Sequence, residues 1–228
     1  MIRIAEIFHS LQGEGILAGT PSAFIRTSGC NLRCWWCDTP YASWEPEGEL
    51  MSAEEIAEQA GAFGADYAVV TGGEPMMFPE IVDLTQSLRR LFRHITIETA
   101  GTVYHPVACD LMSISPKTSN STPWDRDGGR WAAQHDRLRI QMDVLKRLMR
   151  EYPYQLKFVV QSPADMDEIR ALVRVLGAAR DRVVLMPEGA KPEALRERSL
   201  WLAEICREEN FRFTPRLHID LWGGRRGV

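Results

Sequence analysis

Short runs of β-branched and aliphatic residues alternate with longer stretches of helical periodicity along almost the whole chain, and this alternation most restricts the fold. Ala23 to Thr27, Tyr67 to Thr71, Ile95 to Glu98, Leu111 to Ser115, Gln155 to Val160, Val183 to Met186 and Arg212 to Thr214 read as strands, after an N-terminal stretch around Ile4 to Phe8. Helical patterns separate most of them, the signature of parallel βα units. Between Thr99 and Cys109 there is too little chain for a crossover helix. The expected class is therefore α/β, a shortened or partial TIM-like barrel of βα units rather than eight complete ones. At 228 residues the chain fits one domain spanning 1–228.

Local signals set the helix limits. Ser52-Ala53-Glu54-Glu55 is a capping box, with Ile56, Ala60 and Phe63 marking the apolar face behind it. Ile81, Leu84, Leu88 and Leu91 predict a helix over 79–92, and further helices are expected over 135–151, 163–176 and 192–210. Ser162-Pro163 supplies a cap and first position, and Gly177 a stop. The polar stretch from Ser119 to Gln134 reads as a surface insertion or a loop ordered on binding, the segment expected to be most mobile.

With 45% hydrophobic and 25% charged residues the composition is that of a globular protein. A net charge of −4 gives no broad basic field, so direct nucleic-acid binding is not expected. No apolar run is long enough to cross a bilayer, and the N-terminus carries no export signal, so no membrane association and a cytoplasmic location are expected.

Three of the five cysteines fall within eight residues, which argues for metal or catalytic use over disulfides. Cys109 and Cys206 stand apart and read as small buried hydrophobes. Cys30, Cys34 and Cys37 form CxxxCxxC directly after a strand, so three thiolates can hold three corners of a cubane cluster and leave one iron open. The bland alternative is a zinc-binding interaction module. Structural zinc usually takes four protein ligands, and no second cysteine pair is present, so Asp38 or a distant histidine would have to supply the fourth.

The cysteine motif with Trp36 inside it, CxxxCxΦC with Φ aromatic, resembles the radical S-adenosylmethionine superfamily. Thr71-Gly72-Gly73-Glu74-Pro75 follows another strand and resembles the superfamily's cofactor-binding GGE element. Adding Leu11-Gln12-Gly13-Glu14-Gly15 and Ser115-Pro116-Lys117, the pattern is similar to the 7-carboxy-7-deazaguanine synthase family over most of the chain. That resemblance implies a 4Fe-4S cluster, S-adenosylmethionine, Mg2+, and a radical ring contraction of a carboxylated pterin with loss of ammonia. It also implies an external electron donor and a homodimer.

Residue by residue, the resemblance gives Cys30, Cys34 and Cys37 to the cluster and Thr39 to magnesium. Gly73 and Glu74 would meet the methionyl group, Glu74 accepting hydrogen bonds from its ammonium. Ser115, Pro116 and Lys117 would contact the ribose or carboxylate side, and Gln161, Ser162, Pro163 and Ala164 the adenine. Trp36 either covers that adenine or packs to exclude water. On the substrate side stand Leu11, Gln12, Gly13 and Glu14, with Arg26 as a fork for the carboxylate, Thr71, and His218 of Pro215-Arg216-Leu217-His218. The tail Trp222 to Gly227 either closes the pocket or is solvated. A protein-activating radical enzyme shares the cluster and glycine motifs, but would need an open peptide groove.

Overall fold

The parallel strands line up in chain order across one sheet, as βα units demand, and the computed structural model describes all of residues 1–228. β1 (Ile2–Leu11) and β2 (Pro21–Thr27) form an antiparallel hairpin. After the cysteine loop come α1 (Pro40–Ser43), β3 (Glu49–Met51), α2 (Ala53–Gly61) and β4 (Tyr67–Gly72). Then follow α3 (Ile81–Arg89), β5 (His94–Thr99), β6 (Leu111–Ile114), α4 (Ala132–Leu138) and α5 (Met142–Glu151). The chain continues through β7 (Tyr154–Val160), α6 (Met166–Leu176), β8 (Val183–Pro187), α7 (Pro192–Glu209), β9 (Arg212–Phe213) and α8 (Leu217–Trp222).

The sheet order is β3-β1-β2-β4-β5-β6-β7-β8-β9, and from β2 onward every pair is parallel. β5 passes to β6 with no helix between them. The result is a partial TIM-like barrel of seven parallel strands with a hairpin and β3 at one edge. Helices cover one face: Ile25, Val70, Ile97, Met112, Phe158 and Leu185 meet Ile56, Leu84, Leu88, Leu145, Ile169 and Leu202 in one buried cluster. The opposite face carries the alternate residues of the same strands, because side chains switch sides at each position. No helix is long and apolar enough to cross a membrane.

Four expectations need correction. β3 was not foreseen; its three residues add an edge to β1. α2 and α3 end earlier than their apolar periodicity suggests, leaving Phe63 and Leu91 exposed beyond them. The helix expected over 135–151 is two helices: Gln141 leaves helical geometry, and its Nε2 donates to the carbonyls of Arg137 (3.0 Å) and Leu138 (3.2 Å). Those acceptors, orphaned at the end of α4, are thereby satisfied. Ser119 to Gln134 is in part scaffold, with Ser121 and Thr122 buried against the cysteine loop, while Trp124, Asp125, Asp127 and Gly128 lie on the surface as expected. Of the two remaining cysteines, Cys206 is buried in the core and Cys109 half-buried against it, and burial pushes their thiols up to about 11 and about 12.

Candidate active site

Strand register assembles the concave face before any loop contributes. Arg26 of β2 pairs with Thr71 of β4, Glu98 of β5 with Ser113 of β6, and Ser113 with Gln155 of β7. Thr71 Oγ1 donates to Glu98 Oε2 at 3.0 Å, and Gln155 Nε2 to Ser113 Oγ at 2.7 Å. One polar row thus crosses five strands, lying near the carboxyl ends of β2, β4, β5 and β6, where barrel active sites lie, and reaching β7 near its start. Above it is a cavity of about 410 Å³, a size suited to a small molecule.

The cysteine loop closes one side. Cys30, Cys34 and Cys37 all border the cavity, with Trp36 and Thr39. The loop is held chiefly through its backbone: Arg33 N–H donates to His135 Nδ1 (3.0 Å), Trp35 N–H to the Ser121 carbonyl (3.0 Å), and Trp44 Nε1 to the Cys34 carbonyl (3.0 Å). Both the Trp35 and Trp36 indoles donate to the Asn120 carbonyl. His135 Nε2 lies 2.8 Å from Ser121 Oγ, and burial lowers this imidazole to about 4, so it is neutral, accepting from Arg33 and donating to Ser121. Residues 119–135 therefore brace the loop.

The donor set fits an iron–sulfur cluster. Burial pushes Cys30 up to about 12 and Cys34 further still, so bare thiolates are disfavoured there and a cationic iron core would reverse that balance. Three thiolates on a cubane each bind a different iron. No three His, Cys, Asp or Glu side chains close on the position of a single ion.

Opposite the cysteines lies a buried ion network. Glu14 accepts from Lys157 Nζ and from Arg216 Nε (3.1 Å), and Lys157 stands 3.8 Å from Glu98. Arg216 also binds Asp38 and the Gly189 carbonyl, tying the cysteine loop to the far wall. Burial alone would raise Glu14, but Lys157, then Arg216 and His218, hold it well below the ordinary carboxylate range. Burial lowers His218, against the pull of Glu14. His218 comes so close because Gly13 has no side chain: a Cβ there would lie 2.0 Å from His218 Nδ1. Gln12 is buried, its Nε2 donating to Glu98 (3.2 Å) and its Oε1 accepting from the Glu14 backbone N–H (3.1 Å).

Arg26 is gripped at one edge only. Its Nε donates to Glu6 Oε1 at 2.6 Å, and neither terminal nitrogen has a partner within the protein. Leu11, Gln12, Gly13, Glu14, Arg26, Thr71, Gly73, Ser115, Lys117 and His218 join the cysteines around this one cavity. The Lys117 ammonium donates to both oxygens of Ser115, each at 2.7 Å.

Other expected contacts do not border the cavity. Glu74 is completely buried, and its carboxylate accepts from Met76 N–H (3.0 Å), Thr99 Oγ1 (2.8 Å) and Ala100 N–H (2.7 Å). The carboxylate thus staples the turn after β4 to the end of β5, with acceptor capacity left over for the ammonium expected there. Pro116 lies outside the lining, as do Gln161, Ser162, Pro163 and Ala164. Asp165 gathers the last segment, accepting from the backbone N–H of Gln161 (2.7 Å) and Ser162 (3.1 Å).

Sequence reasoning missed Lys157, Glu98, Arg216 and Glu6, and weighed Asp38 only as a fourth ligand to zinc. A signal existed for two of them: Lys157 and Glu98 are charged residues on cavity-facing positions that alternate with buried apolar ones, Leu156 and Phe158 in β7 and Ile95 and Ile97 in β5. Arg216 gave none, since only the fold brings it 202 residues back to Glu14.

The Radical SAM superfamily model matches residues 24–126. The chain is 46% identical over 230 residues to the 7-carboxy-7-deazaguanine synthase of Halobacterium salinarum, covering 96% of this chain and 90% of the relative. It is 45% identical over 226 residues to the enzyme so named from Rhodopirellula baltica, covering 99% and 88%. Among solved structures, QueE from Escherichia coli superposes with a TM-score of 0.71 at 25% identity, over 95% of this chain and 94% of that one.

Proposed function

The chain belongs to the 7-carboxy-7-deazaguanine synthase family of radical S-adenosylmethionine enzymes, and from that membership we propose how its own residues divide the work. The activity is the radical-mediated ring contraction of 6-carboxy-5,6,7,8-tetrahydropterin to 7-carboxy-7-deazaguanine with release of ammonia, a carbon–nitrogen lyase reaction of 7-deazapurine and queuosine biosynthesis. A 4Fe-4S cluster on Cys30, Cys34 and Cys37, with S-adenosylmethionine at the open iron, supplies the one-electron chemistry when bound.

The protein's part is to hold and to exclude. Arg26 carries the reading, because its two unpartnered terminal nitrogens border the same cavity as the three cysteines and form a fork for the substrate carboxylate. Gln12, Glu14 and Thr71 offer amide, carboxylate and hydroxyl to the donors and acceptors of the pyrimidinone edge, and His218, apposed to Gly13, packs against the ring. Thr39 is the oxygen ligand offered to magnesium. Asp38 beside it is engaged by Arg216, so the remaining ligands come from substrate and water. Gly73, Ser115 and Lys117 would hold S-adenosylmethionine from the sheet side, Trp36 would cover it, and the 161–164 turn would meet its adenine. All these residues act within one domain, residues 1–228, read as a cytoplasmic homodimer supplied with electrons by a separate donor.

Anaerobically reconstituted protein is expected to convert the carboxylated pterin to 7-carboxy-7-deazaguanine with S-adenosylmethionine, Mg2+ and a reductant, followed by mass spectrometry. Cofactor cleavage without deazapurine would overturn the substrate reading, and stoichiometric zinc with neither iron nor sulfide would overturn the cluster. Arg26→Ala is expected to raise KM roughly 30- to 160-fold, corresponding to about 2–3 kcal/mol for a charge-assisted fork, with iron content unchanged. An unchanged KM would remove Arg26 from the carboxylate. A cavity of about 410 Å³ favours this compact substrate over a peptide held by an activase.

A further inference from the structure

Arg26 is a long side chain whose guanidinium plane must be fixed before it can meet a carboxylate with two parallel bonds. Its position follows from an irregularity in the edge hairpin. β1 and β2 pair Ile4 with Thr27 and then Glu6 with Arg26, so Ala5 is an extra residue in the ladder. Such a bulge re-aims the side chains that follow it. Here it sets Glu6 opposite Arg26, where Glu6 Oε1 accepts hydrogen bonds from Arg26 Nε at 2.6 Å and from the Tyr41 hydroxyl at 2.8 Å.

The chain after α8 returns to this same point. Arg226 Nε donates to Glu6 Oε2 at 3.3 Å, and its terminal nitrogens reach Glu47 (3.0 Å) and the Ala5 carbonyl (3.4 Å) at the bulge. Its guanidinium lies 3.9 Å from the centre of the Tyr41 ring. Glu6 is thus held from two sides, by Tyr41 and Arg226, while it holds Arg26. Only the terminal nitrogens of Arg26 are left over, and they border the cavity.

We propose that Glu6 and Arg226 are positioning residues that make the site selective for a carboxylated ring, by fixing the plane in which Arg26 presents its guanidinium. The inference rests on the assignment of Arg26 to the substrate carboxylate. Neither residue touches the ring in this role; each acts through Arg26. Glu6 also keeps the local charge balanced, since Arg26 and Arg226 would otherwise face one another across the bulge.

The test compares two unreactive ligands, 6-carboxypterin and pterin, by equilibrium dialysis against the anaerobic holoenzyme. Wild type is expected to prefer the carboxylated ligand roughly 30-fold, the worth of a good charge-assisted fork. Arg226→Met should lower that preference about fivefold, as expected for losing a half-exposed ion pair, with pterin affinity unchanged. Arg226→Lys should stay within about twofold of wild type because it keeps a cation against Glu6. Glu6→Gln should lower the preference at least as much as Arg226→Met. A preference unchanged in Arg226→Met and Glu6→Gln would overturn the inference, and so would equal loss of both ligands, which is what a mere cover over the cavity would give. No preference in wild type would instead overturn the Arg26 assignment itself.

Discussion

Replacing Glu14 with Gln is expected to destabilise the protein by about 3 kcal/mol, because it removes the anion shared by two buried cations. Lys157 and Arg216 are each only 6% exposed on their side chains and both meet the Glu14 carboxylate. Each keeps one other partner, Glu98 at 3.8 Å for Lys157 and Asp38 for Arg216, so the cost falls at the lower end for a broken buried pair. For a chain of this length that corresponds to a fall of roughly 6–12 °C in Tm. Adding Lys157→Met to Glu14→Gln should cost less than the sum of the single changes, since the second removes a cation the first left unpaired. Strict additivity in anaerobic thermal melts would show that Glu14 and Lys157 do not work as a pair.

The same carboxylate has a defined pH signature. Its folded pKa lies far below the ordinary value of about 4.3, so its stabilisation is complete above that value and drains away as pH falls below it. The gap in Tm between wild type and Glu14→Gln should therefore be constant from pH 8 to about 5 and narrow in acid. A gap that instead widened below about pH 5 would mean that Glu14 is protonated more readily in the fold than outside it.

Why the chain's polar groups were harder to read than its strands is a matter of distance along the sequence. Every parallel strand was legible, because a buried strand needs only its own apolar residues and a flanking turn. β3 was not, since Glu49, Leu50 and Met51 carry no alternation and become a strand only by lying against Ile2 to Ile4. The break between α4 and α5 was hidden for a related reason: Gln141 ends one helix with a side-chain contact that periodicity does not register. Helix ends signalled by caps were placed well, as with Ser52, whose side chain and Glu55 exchange hydrogen bonds with each other's backbone, and Gly177, which takes φ +64°.

In the site, motif residues announced themselves and their supports did not. Cys30, Cys34 and Cys37 lie on one loop, whereas Glu14, Lys157 and Arg216 join three segments that only the closed sheet brings together. Ser119 to Gln134 looked like a surface insertion because its polar residues serve backbone acceptors and donors rather than a core. Glu74 is marked by its motif, and its protein partners Thr99 and Ala100 belong to the next strand end, a supporting role the motif does not announce. A motif therefore marks where the site is, but not which of its members also hold the fold together.

Gly73→Ala makes that distinction measurable and should strip the protein of iron. A Cβ at Gly73 would lie 2.1 Å from the Gly29 carbonyl oxygen and 2.4 Å from that of Ala42. Both are backbone atoms, and Gly29 directly precedes Cys30, so the strain cannot be relieved by turning a side chain. The Glu74 N–H donates to that same Gly29 carbonyl at 2.9 Å, and the Gly29 N–H donates to the Ala42 carbonyl at 2.8 Å. The glycine pair after β4 is thus the surface on which the cysteine loop is seated, whatever it also offers to S-adenosylmethionine. Overpacking against unyielding atoms is expected to cost about 3 kcal/mol, near the upper end for inserted carbon, and to displace Cys30. Gly64→Ala is the control: its φ of +67° imposes strain, but no atom lies within 4 Å of the new carbon. That variant should lose only about 1 kcal/mol and keep full iron. If Gly73→Ala retained wild-type iron and sulfide while losing only S-adenosylmethionine affinity, the glycine would be a cofactor contact alone and the cysteine loop would stand without it.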